Sequence, residues 1–248
     1  MQFKDHFSQQ SAAYSRYRPG YPQALIEFVA DAAGGRDLAI DCATGNGQAA
    51  VALAGPFAAV LAVDGSVSQL QRAVPHPRVQ YACAFAEALP VADHGTDLIA
   101  AAQAVHWFDF ERFYPECRRV LRPGGVFAAW TYEKFRVDDR VDAMIDAFYN
   151  DVVGRYWPPE RRYVEQGYRT LPFPWDELSA PAFSLETEWT LAQVIGYLAT
   201  WSSVQRYKDA HGGVDPLPQL QHRLTPLWPT DGSTRRIAWP IHLRLGRA

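Results

Sequence analysis

The sequence predicts an α/β fold: a seven-stranded, mostly parallel sheet with helices on both faces, a final antiparallel strand and a helical, aromatic-rich cap. Three observations carry this prediction. In the first half, short segments apolar on both faces alternate with helical patterns, as in a parallel sheet covered by helices. The first such strand runs into a tight, glycine-rich turn and a helix start, Leu38-Ala39-Ile40-Asp41-Cys42-Ala43-Thr44-Gly45-Asn46-Gly47. Towards the C-terminus two segments are expected to pair antiparallel and complete the sheet.

The elements follow in order. Residues 22–33 read as an amphipathic helix, opened by a proline and ended at Gly34-Gly35. Residues 38–42 and 59–63 read as strands, and 79–84 as a third after the break Pro75-His76-Pro77. Residues 97–101 form the fourth. Residues 110–121 are helical and stop at Arg122-Pro123-Gly124-Gly125, before a fifth strand over 126–131. Residues 138–153 read as a helix. Residues 154–181 are rich in aromatics, proline and arginine, which predicts an inserted cap rather than a sheet element. Residues 183–190 alternate like a strand, 191–207 form one helix, and 217–227 form another despite its prolines. Residues 235–245 are the last strand, with Pro240 placing it near an edge or a bulge. No linker is evident, so one domain over 1–248 is expected. It divides into a cofactor-binding half (1–135), a cap insertion (136–182) and the final strands and helices (183–248).

A chain of 248 residues can bury a core without covalent staples. Its net charge is −3 with the signs interspersed, so no basic face announces nucleic acid. Cys42, Cys83 and Cys117 form no C-x-x-C, and neither a disulfide framework nor a metal site is expected. The start lacks the apolar core of a signal peptide, and no apolar run reaches a membrane span. The expectation is a cytoplasmic protein with no membrane partner. Its oligomeric state is not legible.

The glycine turn points to a ligand, because glycines let the backbone bend sharply and be approached closely. Gly45-x-Gly47-x-x-Ala50 satisfies a loose dinucleotide fingerprint. Asp41 argues against that ligand, since a pyrophosphate at a helix N-terminus needs uncancelled positive potential. S-adenosylmethionine suits the acid better: it carries an ammonium and a sulfonium and has no phosphate. Asp64 ends the second strand 19 residues past Gly45, close to the roughly 20-residue spacing of a ribose-binding acid. The alternative for Asp64 is a helix N-cap or turn residue.

Together these residues resemble the class I S-adenosylmethionine-dependent methyltransferases of methyltransferase type 11, which have a Rossmann-like fold. Asp41-x-Ala43-x-Gly45-x-Gly47 matches the glycine loop and Asp64 the ribose acid. Ala84-Phe85-Ala86-Glu87-x-Leu89-Pro90 matches the adenine-side segment, Asp97-Leu98-Ile99 through Gln103 the fourth strand, and Leu121-Arg122-Pro123-Gly124-Gly125 the helix stop. The resemblance implies cofactor contacts from Asp41, Ala43, Gly45, Gly47, Asp64, Gly65, Phe85, Ala86, Glu87 and Gln103. Two departures stand out. Ala43 replaces the usual glycine, and Phe85 stands where relatives often carry a polar residue, leaving the Ala86 amide to donate to the ring. A narrower likeness, to the trans-aconitate methyltransferase-like branch, comes from Phe7, Tyr14, Tyr17-Arg18-Pro19, Tyr21-Pro22 and Gln103-Ala104-Val105-His106-Trp107-Phe108-Asp109. It implies that Tyr14, Tyr17 and Arg18 fold over the cofactor, with Tyr17 and Arg18 contacting it and Tyr14 facing the acceptor; the alternative is an ordinary N-terminal segment with exposed polar tips.

Methyl transfer from a sulfonium is an in-line displacement that needs alignment and exclusion of water. A carboxylate acceptor needs a cationic clamp and no base, whereas a hydroxyl or amine needs a base. His106 and Trp107 follow the fourth strand, where α/β ligands bind. His106 either contacts acceptor or cofactor, or acts as base, or merely shapes the loop. Trp107 either stacks on the cofactor, walls off the acceptor, or packs in the core. Trp130 and Tyr132 close the fifth strand and are candidates for the acceptor pocket. Arg206 is either an acceptor clamp or a solvated arginine near a helix C-terminus. Arg155, Arg161 and Arg162 share that ambiguity. The expected function is S-adenosylmethionine-dependent methylation of a small molecule, with a carboxylate as the leading acceptor. The rivals are a nicotinamide-dependent oxidoreductase and a catalytically inactive S-adenosylmethionine-binding protein.

Overall fold

Alternation along the strands organises the molecule. The computed structural model describes residues 20–229 and 231–248. Helix α1 (Gln23–Ala32) buries Leu25, Ile26, Val29 and Ala30, a spacing that keeps one helical face apolar. Then come β1 (Leu38–Cys42), α2 (Gln48–Leu53), β2 (Ala59–Asp64), the one-turn α3 (Val67–Leu70) and β3 (Val79–Cys83). The series continues with β4 (Thr96–Ala102), α4 (Phe110–Val120) and β5 (Leu121–Tyr132). Successive residues point to opposite faces. Leu98 and Ala100 therefore join the cluster under α1 and α2, while Ile99 and Ala101 join the cluster under α4.

The second half adds α5 (Asp139–Ala147), α6 (Arg161–Glu165), the two-residue β6 (Asp176–Glu177) and β7 (Phe183–Trp189). It ends with α7 (Leu191–Ala199), α8 (Ser202–Ala210), α9 (Leu217–Leu224) and β8 (Arg235–Arg247). The sheet order is β3-β2-β1-β4-β5-β8-β6, with β7 also on β8. Strands β1 to β5 pair parallel, and β8 pairs antiparallel with β5, β6 and β7. The expected class holds, with eight strands rather than seven. Strand order reverses between β1 and β4, and ligands of open α/β sheets bind outside the strand carboxyl ends at such a point.

Five local expectations change. Strand β5 starts at Leu121, directly after α4, because the ladder bulges: Leu121 pairs Thr96 and Val126 pairs Leu98, with Gly124 at φ +82° between them. The predicted helix 138–153 ends as a wider turn over Phe148–Val152. The predicted helix 191–207 is two helices. Thr200 Oγ1 donates to the Tyr197 carbonyl at 2.6 Å, and the extended Trp201 (ψ 131°) redirects the chain. The aromatic-rich stretch also contributes to the sheet, through β6. Pro240 does not mark an edge: β8 is an interior strand, with Pro240 opposite Ser184 of β7 and just outside the β5 ladder that opens at Tyr132 and Ile241, which its missing N–H does not interrupt.

Candidate functional site

The loop after β1 is shaped by left-handed residues: Ala43 at φ +54°, Gly45 at +57° and Gly47 at +88°. Thr44 N–H donates to the Val63 carbonyl at 2.9 Å, which ties the loop to β2. Asp64 ties it again. Its Oδ2 accepts from Gly45 N–H at 2.8 Å and its Oδ1 from Ser66 N–H at 2.7 Å. The acid therefore holds both flanking turns, and a carboxylate with about four lone-pair sites has capacity beyond these bonds. A Cβ on Gly47 would lie 2.1 Å from Tyr81 Oη, so β3 packs directly on the loop.

Asp41 is fully buried at the end of β1. Thr44 Oγ1 donates to its Oδ2 at 2.5 Å, while Oδ1 has no partner among the described residues. Burial pushes its pKa up to about 7. A buried, half-satisfied acid beside an open backbone loop fits a ligand that carries an ammonium. These residues thus suit S-adenosylmethionine. On the β3 side Phe85 is exposed and Ala86 buried. Glu87 Oε1 accepts from Asp109 N–H at 3.0 Å and links this segment to the start of α4. Gly65 separates Asp64 from Ser66, and its carbonyl faces Cys83 Sγ at 3.9 Å.

A cleft of about 620 Å³, open mouth included, lies at the carboxyl ends of β4 and β5. Gln103 (φ +58°) stands at its floor. Its Nε2 donates to the Tyr132 carbonyl at 3.1 Å and its Oε1 accepts from Thr131 Oγ1 at 2.8 Å. His106 lies in a 3-10 turn, Val105–Trp107, and is nearly buried. Its Nδ1 is 2.7 Å from Tyr168 Oη. Burial, and then the charge of Arg161, lower its pKa to about 3, so the imidazole is neutral at physiological pH and is a weak base. Arg161 lines the same cleft. Its Nε donates to Tyr149 Oη at 2.9 Å and its guanidinium lies 4.4 Å from the Trp157 ring centroid.

The structure brings Gln103, His106, Trp107 and Tyr132 together on the cleft. It does not place Trp130 or Arg206 there. Trp130 is fully buried, edge-on to Tyr21, because the β5 alternation turns it into the sheet core. Arg206 Nη1 points to the Tyr156 carbonyl at 3.4 Å. Arg155 and Arg162 lie over Tyr156 and Tyr163 instead of lining the cleft. Of the ambiguous arginines, Arg161 faces the cleft, with Tyr14, Tyr17 and Arg18 outside the described residues. Sequence reasoning missed Glu133, Trp157, Tyr168, Tyr197 and Trp201. The four aromatic residues were signalled only by aromatic density in the expected cap and helix, and Glu133, just past the fifth strand, by nothing. Among the described residues no group of three His, Cys, Asp or Glu is placed to hold a metal, and no helix is long and apolar enough to cross a membrane.

Comparison with known proteins finds methyltransferases. A family described as a methyltransferase domain matches residues 40–129. A Dictyostelium discoideum protein described as a methyltransferase is 31% identical over 99% of this chain and 95% of its own length. A solved structure from Anaeromyxobacter dehalogenans, described as a type II methyltransferase, is 47% identical with a TM-score of 0.87, over 93% of this chain and 97% of that one. A malonyl-[acyl-carrier protein] O-methyltransferase of Dechloromonas aromatica is 40% identical over 42% of this chain and 39% of its own length.

Proposed function

The chain belongs to the class I S-adenosylmethionine-dependent methyltransferases, and on that premise we propose that it methylates a carboxylate of a small molecule. The observation that carries this reading is Arg161, a guanidinium on an aromatic-walled cleft whose histidine is a weak base. A carboxylate is already nucleophilic at neutral pH and needs clamping, not deprotonation. The Dechloromonas relative, named as an O-methyltransferase acting on a malonyl group, is consistent with that chemistry.

The cofactor supplies, when bound, a methyl group activated by its sulfonium. In this reading Asp41 receives the ammonium and Asp64 the ribose hydroxyls. Ala43, Gly45, Gly47 and Gly65 supply close backbone, and Phe85, Ala86, Glu87 and Gln103 frame the remainder. Arg161 holds the acceptor carboxylate. Tyr168 Oη donates to His106 Nδ1, leaving the His106 proton on Nε2 as a donor to the acceptor. Trp107 and Tyr132 exclude water from the reacting oxygen. Residues 136–182 act as the cap, for Trp157 and Arg161 on the cleft and Tyr168 behind His106 all come from that segment. Of the residues that carry the likeness to trans-aconitate methyltransferases, Gln103, His106 and Trp107 line the cleft.

Glu133, also on the cleft, favours a second reading in which it serves as base for a hydroxyl or amine acceptor. Incubation with methyl-labelled S-adenosylmethionine and a pool of small carboxylic acids separates the two. Base-labile, volatile label means methyl esters. Base-stable label from alcohols or amines overturns the carboxylate assignment.

A further inference from the structure

The charge balance of the cleft restricts the acceptor more narrowly than its reaction type does. Among the described lining residues Arg161 is the one cation and Glu133 the one anion, since His106 is neutral. No carboxylate of the described residues pairs with Arg161. Its Nε is spent on Tyr149, and its plane rests on Trp157. The guanidinium is thus held in place with donors left over. One further donor group borders the cleft. Ser202 opens α8, whose N-terminus has no side-chain cap and presents the positive end of its dipole. Trp107, Tyr132, Tyr197 and Trp201 give the wall flat aromatic faces, beside the polar Gln103 and Thr200. Glu133 is kept ionised, its carboxyl held below the usual range by His242, whose Nε2 lies 3.7 Å from Oε1.

We propose that the acceptor is a monocarboxylate with a flat apolar body, its carboxylate on Arg161 and its body among the aromatic rings, and that Glu133 turns away di- and tricarboxylates. The proposal rests on the carboxylate reading above and narrows it. One negative charge is matched by the guanidinium and the helix terminus. A second carboxylate would meet Glu133, and a like charge inside a low-dielectric cleft is strongly unfavourable. The aromatic walls favour an unsaturated or aromatic body, which stacks at little cost in conformational entropy.

The test compares cinnamate and indole-3-acetate with the tricarboxylate trans-aconitate. It measures kcat/KM with methyl-labelled cofactor, and equilibrium binding to the protein saturated with S-adenosylhomocysteine, so that a ranking exists even without turnover. The expected result is a preference of about tenfold or more for the flat monocarboxylates. Glu133→Gln should shift the ratio towards trans-aconitate by about tenfold. Arg161→Gln should weaken binding of all three by about tenfold or more, and Arg161→Lys should recover part of it, with S-adenosylhomocysteine affinity reporting an intact fold. A wild-type preference for trans-aconitate, an unshifted ratio in Glu133→Gln, or no binding of the flat monocarboxylates overturns the inference. The first two outcomes leave the carboxylate reading standing. Base-stable product on an alcohol or amine removes that reading itself.

Discussion

Ala43 shows how much a single residue can reveal only in three dimensions. The sequence marks it as a departure from glycine, and the structure supplies the reason for glycine there, a φ of +54°. A left-handed Cβ-bearing residue is strained by about 1–2 kcal/mol. Ala43→Gly is therefore expected to raise Tm by about 2–4 °C, for about 1 kcal/mol net of glycine's larger unfolded-state entropy. Differential scanning calorimetry reads this directly, and a lower Tm would refute the strain argument. Asp64 was legible as a candidate ribose acid from its spacing after Gly45. Its second task, holding Gly45 N–H and Ser66 N–H, was not, because it depends on where two loops meet. Asp64→Ala should weaken S-adenosylhomocysteine binding by about 10- to 100-fold in calorimetry, as expected for losing charged hydrogen bonds worth about 1.5–3 kcal/mol. Unchanged affinity would end the ribose assignment.

At the scale of elements, two buried contacts connect segments far apart in sequence. Asp97, at the start of β4, accepts from Asp37 N–H at 2.8 Å and Leu38 N–H at 3.0 Å, and pairs with Arg122 at 2.8 Å. This one carboxylate locks the starts of β1 and β4 to the turn entering β5. Asp97→Ala should cost about 2–3 kcal/mol and lower Tm by about 4–12 °C, without a specific loss of cofactor affinity once the lower stability is allowed for. The motif Asp97-Leu98-Ile99 was readable as a strand, but the clamp was not. The second contact joins Tyr168, after α6, to His106, after β4. Tyr168→Phe is expected to lower kcat by about tenfold with little change in cofactor affinity, the cost of about one hydrogen bond at the reacting end. Nitrogen chemical shifts of His106 should show a changed tautomer balance. An unchanged balance and kcat would make Tyr168 a packing residue only. Helix periodicity concealed the break at Thr200-Trp201, because both halves carry apolar faces into one core.

At the scale of the whole molecule, the proposed contact of Asp41 with the cofactor ammonium predicts that binding is coupled to pH. Its folded pKa of about 7 lies above the ordinary 3.8. The stability it contributes is therefore fully present below about pH 4 and lost as pH rises to about 7. An ammonium-bearing ligand prefers the ionised acid, so binding must release a proton at lower pH. S-adenosylhomocysteine affinity should rise by up to about tenfold from about pH 6 to about pH 7.5, and the ligand-induced gain in Tm should grow with it. His106, at about 3, stays neutral in the folded protein over this window and leaves the binding profile unchanged, although the stability it contributes falls as pH drops below about 6.5. A flat profile would mean that Asp41 does not meet the ammonium. The sequence by itself determined the α/β class, the order of the first five strands, the antiparallel pairing of the last two, and the motifs of a methyltransferase. These depend on local periodicity, glycine punctuation and acids at strand ends, all of which act over a few residues. Only the tertiary structure decided which arginine faces the cleft, that Trp130 turns inward, and that Glu133 and Tyr168 join the site. Those outcomes depend on how α6, α8 and β5 pack together, and side chains from separate elements meet only when the apolar faces beneath them have been buried.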